Sequence, residues 1–260
     1  MLLYATFLMG LIFLSQHCEP NLGVNLLKFV LAEAALETVP MELWNHPAVR
    51  RHSKRQRKPP KQLLLDRSFH HAAMLQLEDN LKRGRPDITH FALLEALGSP
   101  LNKEGHLQVY VHTNQDCVIT VNPAARLPKN YSRFIGLIEE LFQQGKVPSD
   151  GEALLNLEQK TLQQLIAKTK ADYVLAFSKE GKPKTIQTAV SALQSKQHPA
   201  VIVGGFPHGH FSETVAQLVD ETVCVDSEML EAWTITSRII YEYERGLSLP
   251  TKRLGKFTEQ

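Results

Sequence analysis

From Tyr173 onward the chain alternates short apolar runs with amphipathic stretches, and that rhythm limits it to very few architectures. Tyr173–Phe177, Ala200–Val203 and Thr222–Val225 have the length and side chains of buried strands. Lys184–Leu193, Phe211–Val219 and Glu228–Glu244 follow them with apolar residues at helical spacing. Strands separated by helices pair in parallel, and a parallel sheet must be covered on both faces. No internal repeat or low-complexity tract interrupts the pattern. The expected fold is therefore α/β, in a chain of 260 residues that holds one substantial core or at most two small ones.

Upstream the signals are less regular. Asn25–Leu31 suits a buried strand, and Ala32–Val39 reads as a short helix ended by Pro40. The basic, breaker-rich stretch as far as Pro59-Pro60 reads as a loop or irregular insertion. Leu63–Leu65 suits a strand and His70–Leu81 a helix. Pro86-Asp87 opens another helix, with Ile88, Phe91, Leu93, Leu94 and Leu97 near helical spacing, ended by Gly98 and Pro100. Leu107–His112 and Cys117–Val121 form a hairpin around Thr113-Asn114-Gln115-Asp116. Asn130 caps a helix carrying Phe134, Leu137, Ile138, Leu141 and Phe142, and a further helix covers Leu157–Lys168. Trp233, on the apolar stripe of the last helix, is expected in the core.

Formal net charge is only +2, so the total argues for no particular partner. The positions of the charges are more telling. Seven of the twelve residues from Arg50 to Lys61 are Lys or Arg, a run that by itself reads as a solvated loop. Arg126, Lys129 and Arg133 surround the helix start at Asn130, where acids are normally preferred, so this second cluster reads as a phosphate site. Lys82-Arg83-Gly84-Arg85 precedes another helix start. The three cysteines, Cys18, Cys117 and Cys224, form no CxxC pair and fit a reducing, cytoplasmic compartment.

Ligands of open parallel sheets bind at the carboxyl ends of the strands. Two loops there stand out. Gly204-Gly205-Phe206-Pro207-His208-Gly209 follows a strand directly; its glycines allow close backbone approach to a ligand, though the run also suits a plain turn. It is neither a dinucleotide fingerprint nor a phosphate loop of the nucleotide-triphosphate type. In Asp226-Ser227-Glu228-Met229-Leu230, either Asp226 or Ser227 could serve simply as a helix N-cap. His208 and His210 have chelating spacing but no third ligand, so no metal site is expected. No nucleophile elbow or HExxH motif is present.

Taken in order, several motifs carry a family resemblance. They are Ala32-Glu33-Ala34-Ala35-Leu36-Glu37, Arg83-Gly84-Arg85-Pro86-Asp87-Ile88, Ser99-Pro100-Leu101-Asn102 and Val109-Tyr110-Val111-His112-Thr113. Val121-Asn122-Pro123, Arg126-Leu127-Pro128, Arg133-Phe134, Ile202-Val203-Gly204-Gly205-Phe206-Pro207 and Leu230-Glu231-Ala232-Trp233-Thr234 complete the set. With this order and spacing, from about Asn25 to Leu247, the chain resembles the archaeal and eukaryotic small-subunit rRNA pseudouridine-N1-methyltransferases of the SPOUT class. The resemblance implies a SPOUT-type parallel sheet flanked by helices, a C-terminal trefoil knot from about Tyr173, a homodimer, and a role in ribosome biogenesis. It implies S-adenosylmethionine as cofactor, held by Phe177, Gly204, Gly209, Val225, Asp226, Ser227, Glu228, Met229 and Leu230. It also implies small-subunit rRNA as partner, bound by Arg85, Arg126, Lys129 and Arg133, with Arg85 and Asp87 at the reacting base. Lys129 stands where many relatives have Arg, which exchanges a planar fork for a point charge. Two other readings stay open, a SPOUT enzyme acting on a different RNA position and a non-catalytic rRNA-binding assembly factor.

The resemblance gives a single domain over residues 25–250, with a basic insertion around 46–61 and a tail at 251–260. Residues 1–24 have no place in it. Between Met1 and Leu14 only Thr6 and Gly10 interrupt an apolar run that is too short to span a bilayer and lacks a cationic flank or cleavage site. No membrane partner is expected. The reading is that translation starts downstream, at Val24 from a GTG codon. Mass spectrometry of the native N-terminus should then show no peptide from Leu2–Leu14; a mature chain that retains it contradicts the expectation.

Overall fold

Alternation of side chains along the strands decides how the sheet is buried. The computed structural model describes residues 26–258, so the expectation for residues 1–24 lies outside the described residues. In chain order the elements are β1 (Leu27–Ala34), α1 (Pro47–Gln56), α2 (Arg67–Met74), α3 (Pro86–Gly98), α4 (Pro100–Lys103), β2 (Leu107–Thr113), β3 (Cys117–Val121) and α5 (Tyr131–Gln144). They continue with β4 (Lys146–Val147), β5 (Leu155–Gln159), α6 (Leu162–Thr169), β6 (Tyr173–Pro183), α7 (Ile186–Gln194), β7 (Pro199–Gly204), α8 (Glu213–Leu218), β8 (Glu221–Cys224), α9 (Ala232–Gly246) and α10 (Leu249–Thr258).

One eight-stranded sheet runs β4-β5-β3-β2-β1-β7-β6-β8. The β2-β1-β7-β6-β8 half is parallel, as expected. The other half is antiparallel, because the β2–β3 hairpin returns the chain on the same edge and β5 and β4 extend it. Phe29, Leu31, Leu175, Phe177, Val201 and Val203 pack on one face beneath α3, α5, α7 and α9. Val30, Ala32, Val174, Ala176, Ala200 and Ile202 pack on the other, with Leu162 and Leu165 of α6 and Val215 of α8. The period of two in these strands thus buries both faces.

Local propensity loses to tertiary pairing at several points. Ala32–Val39 is extended, not helical: Ala35 donates to Gly205 O at 2.9 Å and Val39 to Leu63 O at 2.9 Å. Leu63–Leu65 contributes only an isolated bridge from Leu64 to Thr38. The helix expected at His70–Leu81 is α2, capped by Asp66 and ended at Leu75. Leu157 lies in β5, paired to Ile119, and α6 starts only at Leu162, where Thr161 and Gln164 form a capping box. The tail expected at 251–260 is largely α10, whose Leu249 is buried against the main core.

The basic stretch is the largest departure from expectation. It folds as α1, with His46 accepting from Ala48 N at the N-cap, Pro47 in the first turn and Arg57 left-handed at the C-cap. Val39, Leu43, Val49, Leu63, Leu65, Ala73 and Met74 close a separate small core beneath it. At its centre Asp66 N donates to His70 Nδ1 at 3.1 Å, so the His70 proton sits on Nε2, 2.9 Å from His52 Nδ1. Burial lowers the His70 pKa to about 4, helped by His52. The unfolded imidazole protonates near 6.5, so this contribution to stability is complete above that pH and lost as pH falls toward about 4. The swing is on the order of 3 kcal/mol. Denaturant unfolding between pH 7 and 4 should show a fall in stability that flattens in His70→Gln; an equal slope in both proteins contradicts the account.

Candidate active site

The carboxyl ends of β6, β7 and β8 open into one cleft, with about 930 Å³ of empty volume, its mouth included. Phe177 ends the regular part of β6, Gly204 ends β7, and Val225 follows β8. Phe177, Gly204, Gly209, Val225, Asp226, Glu228, Met229 and Leu230 all line the cleft; Ser227 does not. Ile88, Val203 and Ile235 make apolar wall, while Asp226, Glu228 and Glu231 supply acidic groups. Gly209 has φ +94, which side-chain-bearing residues rarely adopt, and a Cβ on Gly204 would lie 3.0 Å from the Phe206 ring.

Neither Asp226 nor Ser227 caps the helix that follows β8. α9 begins at Ala232, with Glu231 at the N-cap and no side-chain cap. Asp226 instead folds its own loop, its Oδ1 accepting from Glu228 N at 3.0 Å. Trp233 is half-buried rather than in the core, and meets the exposed Phe91 edge-to-face at 5.2 Å. His210 pairs with Glu180 at 3.1 Å, and no cluster of three metal-ligating side chains occurs among the described residues.

Arg85 stands immediately before α3, one turn from the cleft wall at Ile88. Asp87 grips it in a fork, Arg85 Nε to Oδ1 at 2.8 Å and Nη2 to Oδ2 at 2.7 Å. These bonds, above all, hold the guanidinium protonated, and Glu231 on the cleft wall adds to the same effect. Arg126, Lys129 and Arg133 are exposed, and none is ion-paired among the described residues. Their loop is fixed from below: His90, stacked on Phe134 at 4.2 Å, bonds Pro128 O at 2.7 Å. Asn130 caps α5 by accepting from Arg133 N at 3.1 Å. Tyr131 donates to Asp66 Oδ2 at 2.7 Å, and burial together with that bond pushes its phenol up, so it stays neutral. Arg85 and Asp87 both act on the Tyr131 phenol, so the starts of α3 and α5 adjoin.

Sequence reasoning gave no role to Glu33, Glu37, Lys82 or Arg83. Buried Glu37 receives Arg83 in a second fork, at 2.8 and 2.6 Å, and Asn114 at 2.9 Å. Glu33, strained at φ 51, accepts from Ser212 N at 3.0 Å and faces Lys82 Nζ at 3.5 Å. Lys82 also donates to His210 O and lies 4.7 Å over the Phe206 ring. Lys82 and Glu33 thus tie down the glycine-rich loop from both sides. The only sequence signal was that Glu33, Glu37 and Arg83 lie inside motifs of the resemblance, with Lys82 immediately before one of them.

An α/β sheet with a cleft at the carboxyl ends of its parallel strands, flanked by unpaired cations, defines a ligand-binding protein with a surface suited to a polyanion. The chain belongs to the EMG1/NEP1 methyltransferase family, whose model matches residues 29–244. It is 45% identical over 224 residues to the ribosomal RNA small subunit methyltransferase Nep1 of Thermococcus kodakarensis, covering 86% of this chain and 100% of the relative. The Nep1 of Pyrococcus furiosus is 46% identical over 218 residues, or 84% of this chain and 96% of that one. Archaeoglobus fulgidus Nep1, solved bound to S-adenosylhomocysteine, superposes with a TM-score of 0.75 at 37% identity, over 85% of this chain and 98% of that chain.

Replacing Lys82 with Met should leave thermal melting nearly unchanged but loosen residues 206–212. Hydrogen exchange should report faster exchange there, and unchanged protection at those amides would show that the loop is held by other contacts.

Proposed function

We propose that the protein transfers a methyl group from S-adenosylmethionine to N1 of a pseudouridine in small-subunit rRNA, in the cytoplasm and as a homodimer. One observation carries this reading. The cleft that fits the cofactor and the fork-held Arg85 meet at Ile88, and the start of α3 adjoins that of α5, where three exposed cations have no acidic partner among the described residues. The cleft suits the cofactor chemically: apolar walls for an adenosyl group, bare backbone at Gly204 and Gly209, and carboxylates of Asp226, Glu228 and Glu231 toward a sulfonium.

S-adenosylmethionine supplies an already activated methyl group, which leaves alignment and charge management to the protein. Pseudouridine is joined to its ribose through carbon, so its N1 keeps a proton that uridine lacks. As that proton leaves, negative charge spreads toward the adjacent carbonyl. Arg85 still has Nη1 to offer, since Asp87 takes Nε and Nη2. A fixed cation there stabilises the developing charge without having to reorganise. Both Asp87 oxygens are occupied by Arg85, so Asp87 orients and solvent accepts the proton. Arg126, Lys129 and Arg133 hold phosphates while the target base is turned out of its stack toward the cleft.

The knot and the dimer belong to the same reading. Beyond Phe177, β6 shifts register and runs against β8 again at Lys182 and Pro183, where a Cβ on Gly181 would lie 2.4 Å from the Val223 backbone. Phe91, 45% exposed, and Tyr241, 56% exposed, leave apolar surface on α3 and α9 of the kind that interface cores contain.

The test is methyl transfer from labelled cofactor to unmodified small-subunit rRNA fragments carrying either pseudouridine or uridine at the target. Label should enter only the pseudouridine RNA. Arg126→Ala, Lys129→Ala or Arg133→Ala should each weaken RNA binding by about 1–3 kcal/mol and leave cofactor affinity unchanged. Equal labelling of the two RNAs, or RNA binding with no transfer, contradicts the proposal.

A further inference from the structure

The densest charge in the sequence takes no part in the site described above. α1 buries Val49 and His52 and turns Arg50, Arg51, Lys54 and Arg55 to solvent, with Arg57 and Lys61 exposed just beyond. None of these six is ion-paired among the described residues; only Lys58 is, reaching inward to buried Glu139 at 2.6 Å. Arg50 and Lys54, and Arg51 and Arg55, are like charges one helical turn apart, an arrangement that weakens a helix unless something anionic lies over it. No acid sits in the first turn to compensate. The helix holds nonetheless, because its inner side is fixed by the small core and by the Lys58–Glu139 pair.

An aromatic side chain is set among these cations. Phe69 of α2 is 39% exposed, stacks on His52 at 4.3 Å, and carries the Arg55 guanidinium 4.7 Å above its ring. Cations interleaved with an exposed ring suit a nucleic-acid backbone, which offers phosphates beside the less polar faces of its sugars. The face also adjoins the substrate surface. Asp66, the cap of α2, receives Tyr131, two residues before Arg133, and Glu139 on the same helix α5 holds Lys58. Only about 9 Å of helix rise separates Arg133 from Glu139.

We propose that the outer face of α1, with Phe69, is a second RNA-docking surface that takes the sugar–phosphate backbone of duplex flanking the target nucleotide. The proposal rests on the reading that the substrate is rRNA, and assigns the basic insertion the work of holding its context. The interaction is one of charge with the phosphates and apolar contact of Phe69 with the sugars, without base readout.

The test compares wild-type protein with Arg51→Glu/Arg55→Glu, a double variant that relieves the like-charge repulsion and should melt no lower than wild type. Each binds a pseudouridine loop strand from small-subunit rRNA, alone and with its flanking duplex, over a range of salt. The variant should bind the duplex-flanked RNA at least about tenfold more weakly. Its plot of log affinity against log salt should be shallower by about 2. Affinity for the bare loop strand should be unchanged. Equal affinity of both proteins for the duplex-flanked RNA overturns the proposal, as does an equal loss on both RNAs. A wild-type protein that binds neither RNA overturns the reading beneath it as well.

Discussion

Two buried or half-buried carboxylates, Glu37 and Asp87, fix a segment of six residues on which the cleft loop and the nearest guanidinium both depend. Glu37 holds Arg83 and Asp87 holds Arg85, each in a two-point fork. Between them Gly84 takes φ +67, and an added Cβ there would press on Met74 of the insertion core. Lys82, at one end, secures the loop that lines the cleft, while Pro86 and Asp87, at the other, start the helix that supplies Ile88 to its wall. A guanidinium fork fixes orientation as well as distance, which a lysine in the same place would not. The segment therefore couples the cleft to Arg85, the cation proposed to face the substrate.

Charge is used in two ways in this chain. Arg83, Arg85 and Lys58 are neutralised by named acids and hold the architecture together. Arg126, Lys129, Arg133 and the outer face of α1 have no such partners among the described residues. A net charge of only +2 conceals this separation. Paired cations build the molecule, and those without partners among the described residues are the ones proposed to meet RNA.

The parallel half of the fold was legible in the sequence because period and length agree from Tyr173 onward. The strands at Ala200–Val203 and Thr222–Val225 differ from β7 and β8 only at their ends. What failed were segments whose backbone partners lie far away in sequence. Ala32–Val39 has helical composition but pairs with Gly205 and Leu63, and Leu157 joins β3 rather than α6. α1 was hidden for a different reason: its charge argued for a solvated loop, while the buried residues that hold it, Val49 and His52, are too few to mark a period. At the site, the cofactor residues carried over from the family line the cleft with the exception of Ser227, while Arg85, Asp87, Arg126, Lys129 and Arg133 lie outside its lining. Glu33 and Lys82 could not be found from spacing, since their role is to meet a loop more than a hundred residues away.

The central claim is that Arg85 acts on the reacting base through a guanidinium whose orientation Asp87 fixes. Single-turnover methyl transfer by Arg85→Lys, at saturating cofactor and pseudouridine RNA, tests it most directly. A lysine keeps the charge but cannot fill the Asp87 fork while also reaching the base. The account predicts near-normal affinity for both ligands and a rate lower by roughly 10²–10³. An unchanged rate at saturation would contradict it.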